Sequence, residues 1–270
     1  MAVQLPVKHT IVALYVAHAH NLKFANSTIA SHLSAIAYWH SLHGFADPTK
    51  SFLVRKAIRG AASLAPTYDI RLPITLPILE RLCSAVPTIL NNVVQQNLVV
   101  AVFAVAFYSL ARIGELLGHC SLGTSPKKVV QLDDVTFEAD GAVLKRMHIT
   151  YREFKHNISG KPHVIPVEAN TTSNTCPVTS LYNYIKMRGS SPGALFIDEL
   201  GQPFPRARSE SITRRCLVFC DLDVARYKGH SFRIGGASYA AAKGFTDAQI
   251  RLLGRWKTDA FKRYIRSPSL

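Results

Sequence analysis

Residues 229–266 read GHSFRIGGASYAAAKGFTDAQIRLLGRWKTDAFKRYIR, a stretch that gathers His230, Arg233, Trp256 and Tyr264 among Arg251, Arg255, Lys257, Lys262, Arg263 and Arg266. His230 and Arg233 stand three apart, so a helix from Ser231 to Lys243 sends both side chains from one face of its first turn. Two donors beside a helix N-terminus, where unpaired N–H groups point outward, suit an anion. Gly244 predicts the end of that helix, and Thr246 with Gln249 forms a capping box for a second one running through Leu253 and stopped by Gly254. Thr258 is the expected N-cap of a last short helix carrying Phe261, Tyr264 and Ile265.

The surrounding composition points the same way. Thirty-two Lys and Arg against 17 Asp and Glu give a formal charge of +15 and a pI near 9.8, which favours nucleic acid as the partner. With no block of five or more like charges, that basicity belongs to folded surfaces. The 270 residues, 48% hydrophobic, allow one large or two ordinary domains. Five cysteines without a CxxC predict no metal site, and Cys216 and Cys220, four apart, read as small buried apolar residues. The chain opens without a basic–apolar–small signal pattern, so a reducing intracellular compartment is expected. The longest apolar run, Leu98 to Leu110, falls short of the ~20 residues that cross a bilayer, and no membrane partner is expected.

Residues 1–65 read as all helix. Ile11, Leu14, Tyr15 and His18 share one face; Asn26 or Ser27 caps a helix carrying Ile29, Leu33, Ile36 and Trp39 or His40; a third follows Asp47-Pro48-Thr49 with Phe52, Leu53 and Ile58 inward. The other face of that third helix holds Lys50, Arg55, Lys56 and Arg59, a solvated charge cluster or a phosphate-contacting surface. ASLAPTYDIRLP, with two prolines and no helical period, marks a linker at 66–73. Beyond it, Thr75 opens a helix with Pro77 near its start, and a helix over Asn92–Leu117 is apolar nearly all round and therefore buried. At its end ARIGELLG presents Arg112, whose permanent charge must meet Glu115 or an anion in a cleft. Residues 129–168 change period and predict a three-stranded antiparallel meander turning at Asp140-Gly141 and at 157–160, with Lys155 and Lys161 flanking the second turn. Helices over Val178–Met187 and Ser209–Phe219 follow, and Arg206, Arg208, Arg214 and Arg215 face a DNA backbone or water.

Arg112 in ARIGE, a hairpin lysine, His230 and Arg233 in HSFR, Trp256 in GRW and Tyr264 in RYIR form an ordered set that resembles the tyrosine recombinase, or phage integrase, superfamily. The wording of the segments is similar to that of eukaryotic Crypton and DIRS-like mobile-element recombinases. The resemblance covers nearly the whole chain and implies a mainly α fold with a small antiparallel β-sheet. A helical, SAM-like core-binding domain would span 1–65 and a catalytic domain 74–270, the two closing around double-stranded DNA. It implies that Tyr264 attacks a scissile phosphate, giving a 3′-phosphotyrosyl link and a free 5′-hydroxyl, and that the retained bond energy leaves no need for ATP, metal or cofactor. Arg112 and Arg233 would hold the charged non-bridging oxygens, His230 and Trp256 would add donors, and Lys155 would be the general acid. Lys161 is the reserve for Lys155. Arg255, nine residues before Tyr264, is the alternative to Trp256, and Glu115 orients its neighbours. Lys257 joins the DNA-binding set. A homodimer or homotetramer on DNA is implied, in the nucleus of a eukaryote or otherwise in the cytoplasm. Two other readings remain at this point: a DNA-binding protein descended from a recombinase without its activity, and a relaxing topoisomerase of the type IB kind. Read singly, His230 is a packed histidine, Trp256 a core aromatic and Tyr264 an interface tyrosine.

Overall fold

A computed structural model describes residues 5–64, 70–118, 129–154, 157 and 159–266. The chain divides into two compact units, Met1–Ile70 and Arg71–Leu270.

The first unit packs α1 (His9–Asn21), α2 (Asn26–Leu42) and α3 (Phe52–Leu64) around Val12, Val16, Ala19, Ile29, Leu33, Val54 and Ala61. Asp47 caps the 3-10 turn Pro48–Lys50 by accepting from the Thr49 N–H at 2.9 Å. Two expected faces are rotated. On α1, Ile11 and Leu14 are exposed while Val12 and Val16 are buried, and on α3 Phe52 and Leu53 point outward. Helix α1 carries no acidic residue, lysine or arginine, so hydrophobicity alone selects no side and packing chooses the smaller residues. On α2 it is His40, not Trp39, that turns inward: its Nε2 accepts from the Val7 N–H at 2.9 Å and its Nδ1 donates to the Ile36 carbonyl at 2.8 Å.

In the second unit α5 (Val93–Tyr108) is sheathed by α4 (Leu76–Ile89), α7 (Pro177–Arg188) and α9 (Gly229–Ala242). Strands β1 (Val135–Asp140), β2 (Val143–Tyr151) and β3 (His163–Glu168) form an antiparallel sheet in chain order, with Met147 opposite both Phe137 and Val167. Met147, Ile149, Tyr151, Ile165 and Val167 are the buried face, as the period of two requires. Two glycines let α9 lie on bare backbone. A Cβ at Gly235 would sit 1.8 Å from the Ile74 carbonyl oxygen, and one at Gly236 would sit 2.1 Å from that of Phe107. Leu72 and Ile74, at the far end of the expected linker, donate backbone bonds to Arg226 and Ser231 at 2.8 and 3.0 Å.

Three boundaries differ from expectation. The long apolar helix stops at Tyr108; Leu110 takes the left-handed region at φ 49°, and a separate turn, α6 (Ile113–Leu116), follows. Helix α8 begins at Arg206 rather than Ser209 and runs to Phe219. After α10 (Asp247–Gly254), whose Thr246–Gln249 capping box forms as expected, the segment Asp259–Tyr264 is a 3-10 helix. Cys216 and Cys220 are buried, and burial pushes the Cys216 thiol up to about 11. No helix among the described residues is long and apolar enough to cross a membrane.

Candidate active site

The break after α5 is where the site begins. Ending a buried helix at Ser109 leaves carbonyl groups without helical partners inside the core, and such groups must find donors. Arginines from the C-terminal stretch supply them. Arg233 Nη1 donates to the Leu110 carbonyl at 2.5 Å and its Nη2 to that of Gly254; Arg255 donates to Leu110 at 3.4 Å, to Ser109 at 3.5 Å and to Leu253 at 3.0 Å.

Arg112, at the N-cap of α6, meets Glu115 one turn on. Its Nη1 pairs with Oε1 at 2.7 Å, and its backbone N–H donates to Oε2 at 2.9 Å. The structural pair between these residues therefore exists, yet the Arg112 side chain stays 19% exposed, and its Nε and Nη2 carry no hydrogen bond among the described residues. Glu115 also takes Arg255 Nη2 on Oε2 at 2.7 Å. One carboxylate thus serves two guanidiniums, and Arg233 has no carboxylate partner among the described residues.

Around Arg233 stand the other members of the set. Its guanidinium lies 4.0 Å from the Trp256 ring centroid and 5.6 Å from that of Tyr264. Trp256 and Tyr264 are 5.1 Å apart, and His230 stacks on Tyr264 at 6.2 Å with planes 24° apart. Gly254, predicted only as a helix stop, is also the floor for Trp256, because a Cβ there would lie 1.6 Å from the indole ring. Ser238 ties the tyrosine segment to α9: its hydroxyl donates to the carbonyls of Ile234 (2.9 Å) and Tyr264 (3.3 Å) and accepts from the Arg266 N–H (2.8 Å).

The electrostatics follow from burial and this crowding of positive charge. Burial pushes the Glu115 carboxyl up, but Arg255, the Arg112 N–H and the charges of Arg112 and Arg233 outweigh it and hold it below the usual range. Burial lowers the Arg233 guanidinium, and Arg112 and Arg255 lower it further. His230 is likewise depressed, by burial first and then by Arg71, Arg233, Arg112 and Arg206, so it is neutral near pH 7. The site gathers three guanidiniums around one carboxylate, with a neutral imidazole beside a tyrosine.

Other expected residues fall elsewhere. Lys155 lies outside the described residues. Lys161 and Lys257 are exposed. Lys50, on the 3-10 turn, and Arg55, Lys56 and Arg59, on α3, are all exposed. On α8, Arg206 pairs with Glu210 at 2.8 Å, Arg208 with Glu199 at 2.6 Å, and Arg215 donates to the Ile89 carbonyl at 2.8 Å, while Arg214 is exposed. Arg71, Arg206, Arg214 and Lys228 line a groove of about 510 Å³ that reaches His230.

Reading the sequence missed Tyr151 and Ser109, joined at 2.8 Å, with the Arg255 guanidinium 3.8 Å from the Tyr151 ring centroid. It missed Ser238 as well. None of the three has a local signal, since each acts on residues distant in the chain.

No family model and no curated protein matches the sequence. Solved structures do match. The Tn1549 transposon integrase, in complex with circular intermediate DNA, aligns over 98% of this chain and 82% of its own at TM-score 0.58 and 13% identity. The XerH site-specific recombinase, bound to a palindromic difH substrate, aligns over 96% and 68% at 0.66 and 11%. A lambda integrase dimer bound to a COC′ core site aligns over 96% and 64% at 0.62 and 13%. The fold is mainly helical with a small three-stranded antiparallel sheet, and the structures it matches are integrases and a site-specific recombinase.

Proposed function

We propose that this chain is a site-specific DNA recombinase that cleaves and rejoins strands through a tyrosyl phosphodiester. One observation carries the reading: Arg233 is fully buried, lacks a carboxylate partner among the described residues, leaves its Nε without an acceptor, and has Tyr264 and Trp256 stacked over it. A buried guanidinium that no carboxylate touches, with Glu115 acting only through space and two more arginines beside it, is costly unless an anion joins it, and the group poised beside that anion is a tyrosine.

In this reading a scissile phosphate enters between Arg112 and Arg233 as the Tyr264 ring swings off the guanidinium. The Tyr264 hydroxyl gives its proton to neutral His230 as its oxygen bonds to phosphorus, the bond from phosphorus to the 5′-oxygen breaks, and the 5′-oxygen leaves with a proton from Lys155, with Lys161 in reserve. A 5′-hydroxyl reverses the step on the same or a new partner. Arg112 and Arg233 meet the charge that grows on the non-bridging oxygens, and the Trp256 indole N–H is a further donor. Neutral His230 can donate at one nitrogen and accept at the other. The exposed bases of α3, Arg214 and Lys257 follow the DNA backbone. The finer assignment is to a mobile-element enzyme of the Crypton or DIRS kind, acting as a dimer or tetramer on DNA, in the nucleus if the host is eukaryotic.

Nicked duplexes with randomised sequence around the nick test this. The protein is expected to become linked to a 3′ end in a denaturing gel, and Tyr264→Phe is expected to form no link. Equal yields from both proteins overturn the reading. Binding without a link points instead to a DNA-binding descendant, and relaxation of supercoiled DNA of arbitrary sequence points to a topoisomerase.

A further inference from the structure

Arg255 stands at a left-handed residue, φ 55°, between the end of α10 and Trp256, a conformation that a non-glycine side chain adopts only when its surroundings enforce it. Its side chain is 1% exposed and lies flat on Tyr151. Four of its five N–H donors are used inside the protein: on Glu115, Leu253, Ser109 and Leu110. Only its Nε is left without an acceptor.

What it does touch is the acid that controls Arg112. Glu115 gives Oε2 to Arg255 and Oε1 to Arg112. A carboxylate in so dry a place draws in whatever guanidinium it can, and the fork geometry of arginine favours a two-pronged grip. With Arg255 holding one oxygen, the other engages only Arg112 Nη1, and Arg112 Nε and Nη2 are not taken up by Glu115.

We propose that Arg255 is a positioning residue: by satisfying Glu115 from the buried side, it keeps Arg112 available to a phosphate. The proposal rests on the functional reading above in assigning Arg112 to the scissile phosphate. It also explains why two arginines, rather than one, accompany this single glutamate. If Arg255 is replaced by an apolar residue, Glu115 is left to Arg112 alone and pulls it inward, so the loss at the site exceeds anything Arg255 could contribute by contact.

The test uses the full chain and two readouts. Single-turnover linkage to the nicked duplexes is expected to slow on the order of 10²-fold in Arg255→Met, as for loss of one preorganised donor. The double variant Arg255→Met/Glu115→Gln, which removes the demand together with its supply, is expected to recover most of that rate. A merely structural arginine predicts the opposite, since the second change removes more of the network. In parallel, the rise in melting temperature caused by inorganic vanadate, a phosphate-transfer mimic, is expected to be lost in Arg255→Met and to return in the double variant. This second readout needs no DNA, so it decides the proposal even if the wild-type chain forms no link, an outcome that counts against the functional reading alone. A single variant that responds like wild type, or a folded double variant no better than the single, overturns the proposal. Should Arg255→Met not fold, Arg255→Lys carries the test: it keeps a charge on Glu115 and is expected to keep a vanadate response, and loss of that response in a folded Arg255→Lys protein overturns the proposal.

Discussion

Arg208 and Arg233 are both helical arginines of the second unit, and their settings differ in kind. Arg208, on α8, meets Glu199 through two bonds of 2.6 Å in a side chain 38% exposed. That contact lowers the Glu199 carboxyl to about 2, chiefly through the Arg208 hydrogen bond. Arg233, on α9, is 0% exposed and holds two carbonyls and two rings. The first is an arginine compensated in water, where a pair contributes about 0–1 kcal/mol after screening and side-chain entropy are counted. The second bears a desolvation cost that no directly bonded carboxylate offsets, Glu115 acting on it only through space while Arg112 and Arg255 oppose its charge. Net charge counts the two arginines alike, and burial is what separates a guanidinium held by core carbonyls from one paired at the surface.

The sharpest way to break that comparison is to exchange arginine for lysine at both places. Arg233→Lys cannot bridge Leu110 and Gly254 as a fork, and strand linkage is expected to fall on the order of 10²–10³-fold. Arg208→Lys should leave it near wild type; comparable losses at the two positions would erase the distinction.

A smaller effect is expected from the first unit. Converting Arg55, Lys56 and Arg59 to alanine should make the plot of log affinity against log salt shallower by about 3, near 0.9 for each phosphate that is no longer neutralised. An unchanged slope would mean that these residues meet only water.

Acid stability comes next. The depressed His230 takes up its proton more readily in the unfolded chain, so the stability it leaves intact above its ordinary value of 6.5 is lost as pH falls below it. Glu115, also depressed, contributes stability present above its ordinary value of 4.5 and lost as pH falls through its lower folded value. Melting curves should therefore decline in two steps on acidification, with His230→Asn shrinking the upper step and Glu115→Gln the lower; His163, depressed by burial, and Glu199, held low by Arg208, supply the remainder. A profile unchanged by both substitutions would show that the cluster does not titrate as described. The least effect belongs to the surface again: a double-mutant cycle on Arg208 and Glu199 should give a coupling below about 1 kcal/mol, shrinking in salt.

Much of this could be read along the chain, and the limits have identifiable causes. Gly244 ends α9 and Thr246 opens α10 through bonds spanning three or four residues, so local chemistry sufficed there. The meander followed from alternation and an Asp140-Gly141 turn. The apolar face of α1 could not be read, because a helix free of strong charge offers packing several sides. The end of α5 could not be read either. No glycine or proline interrupts Val93–Tyr108 or the break that follows it, and Leu110 bends to φ 49° because Arg233 and Arg255, more than 120 residues later, hold the carbonyls the bend exposes.

The sequence by itself therefore determined the identities and order of Arg112, His230, Arg233, Trp256 and Tyr264, and the helix that carries His230 and Arg233. Only the tertiary structure decided which arginines are buried, which two share Glu115, and which faces a tyrosine with no carboxylate in contact. Local propensity acts over a few residues, whereas the partner that satisfies a buried carbonyl or carboxylate can come from anywhere in the chain.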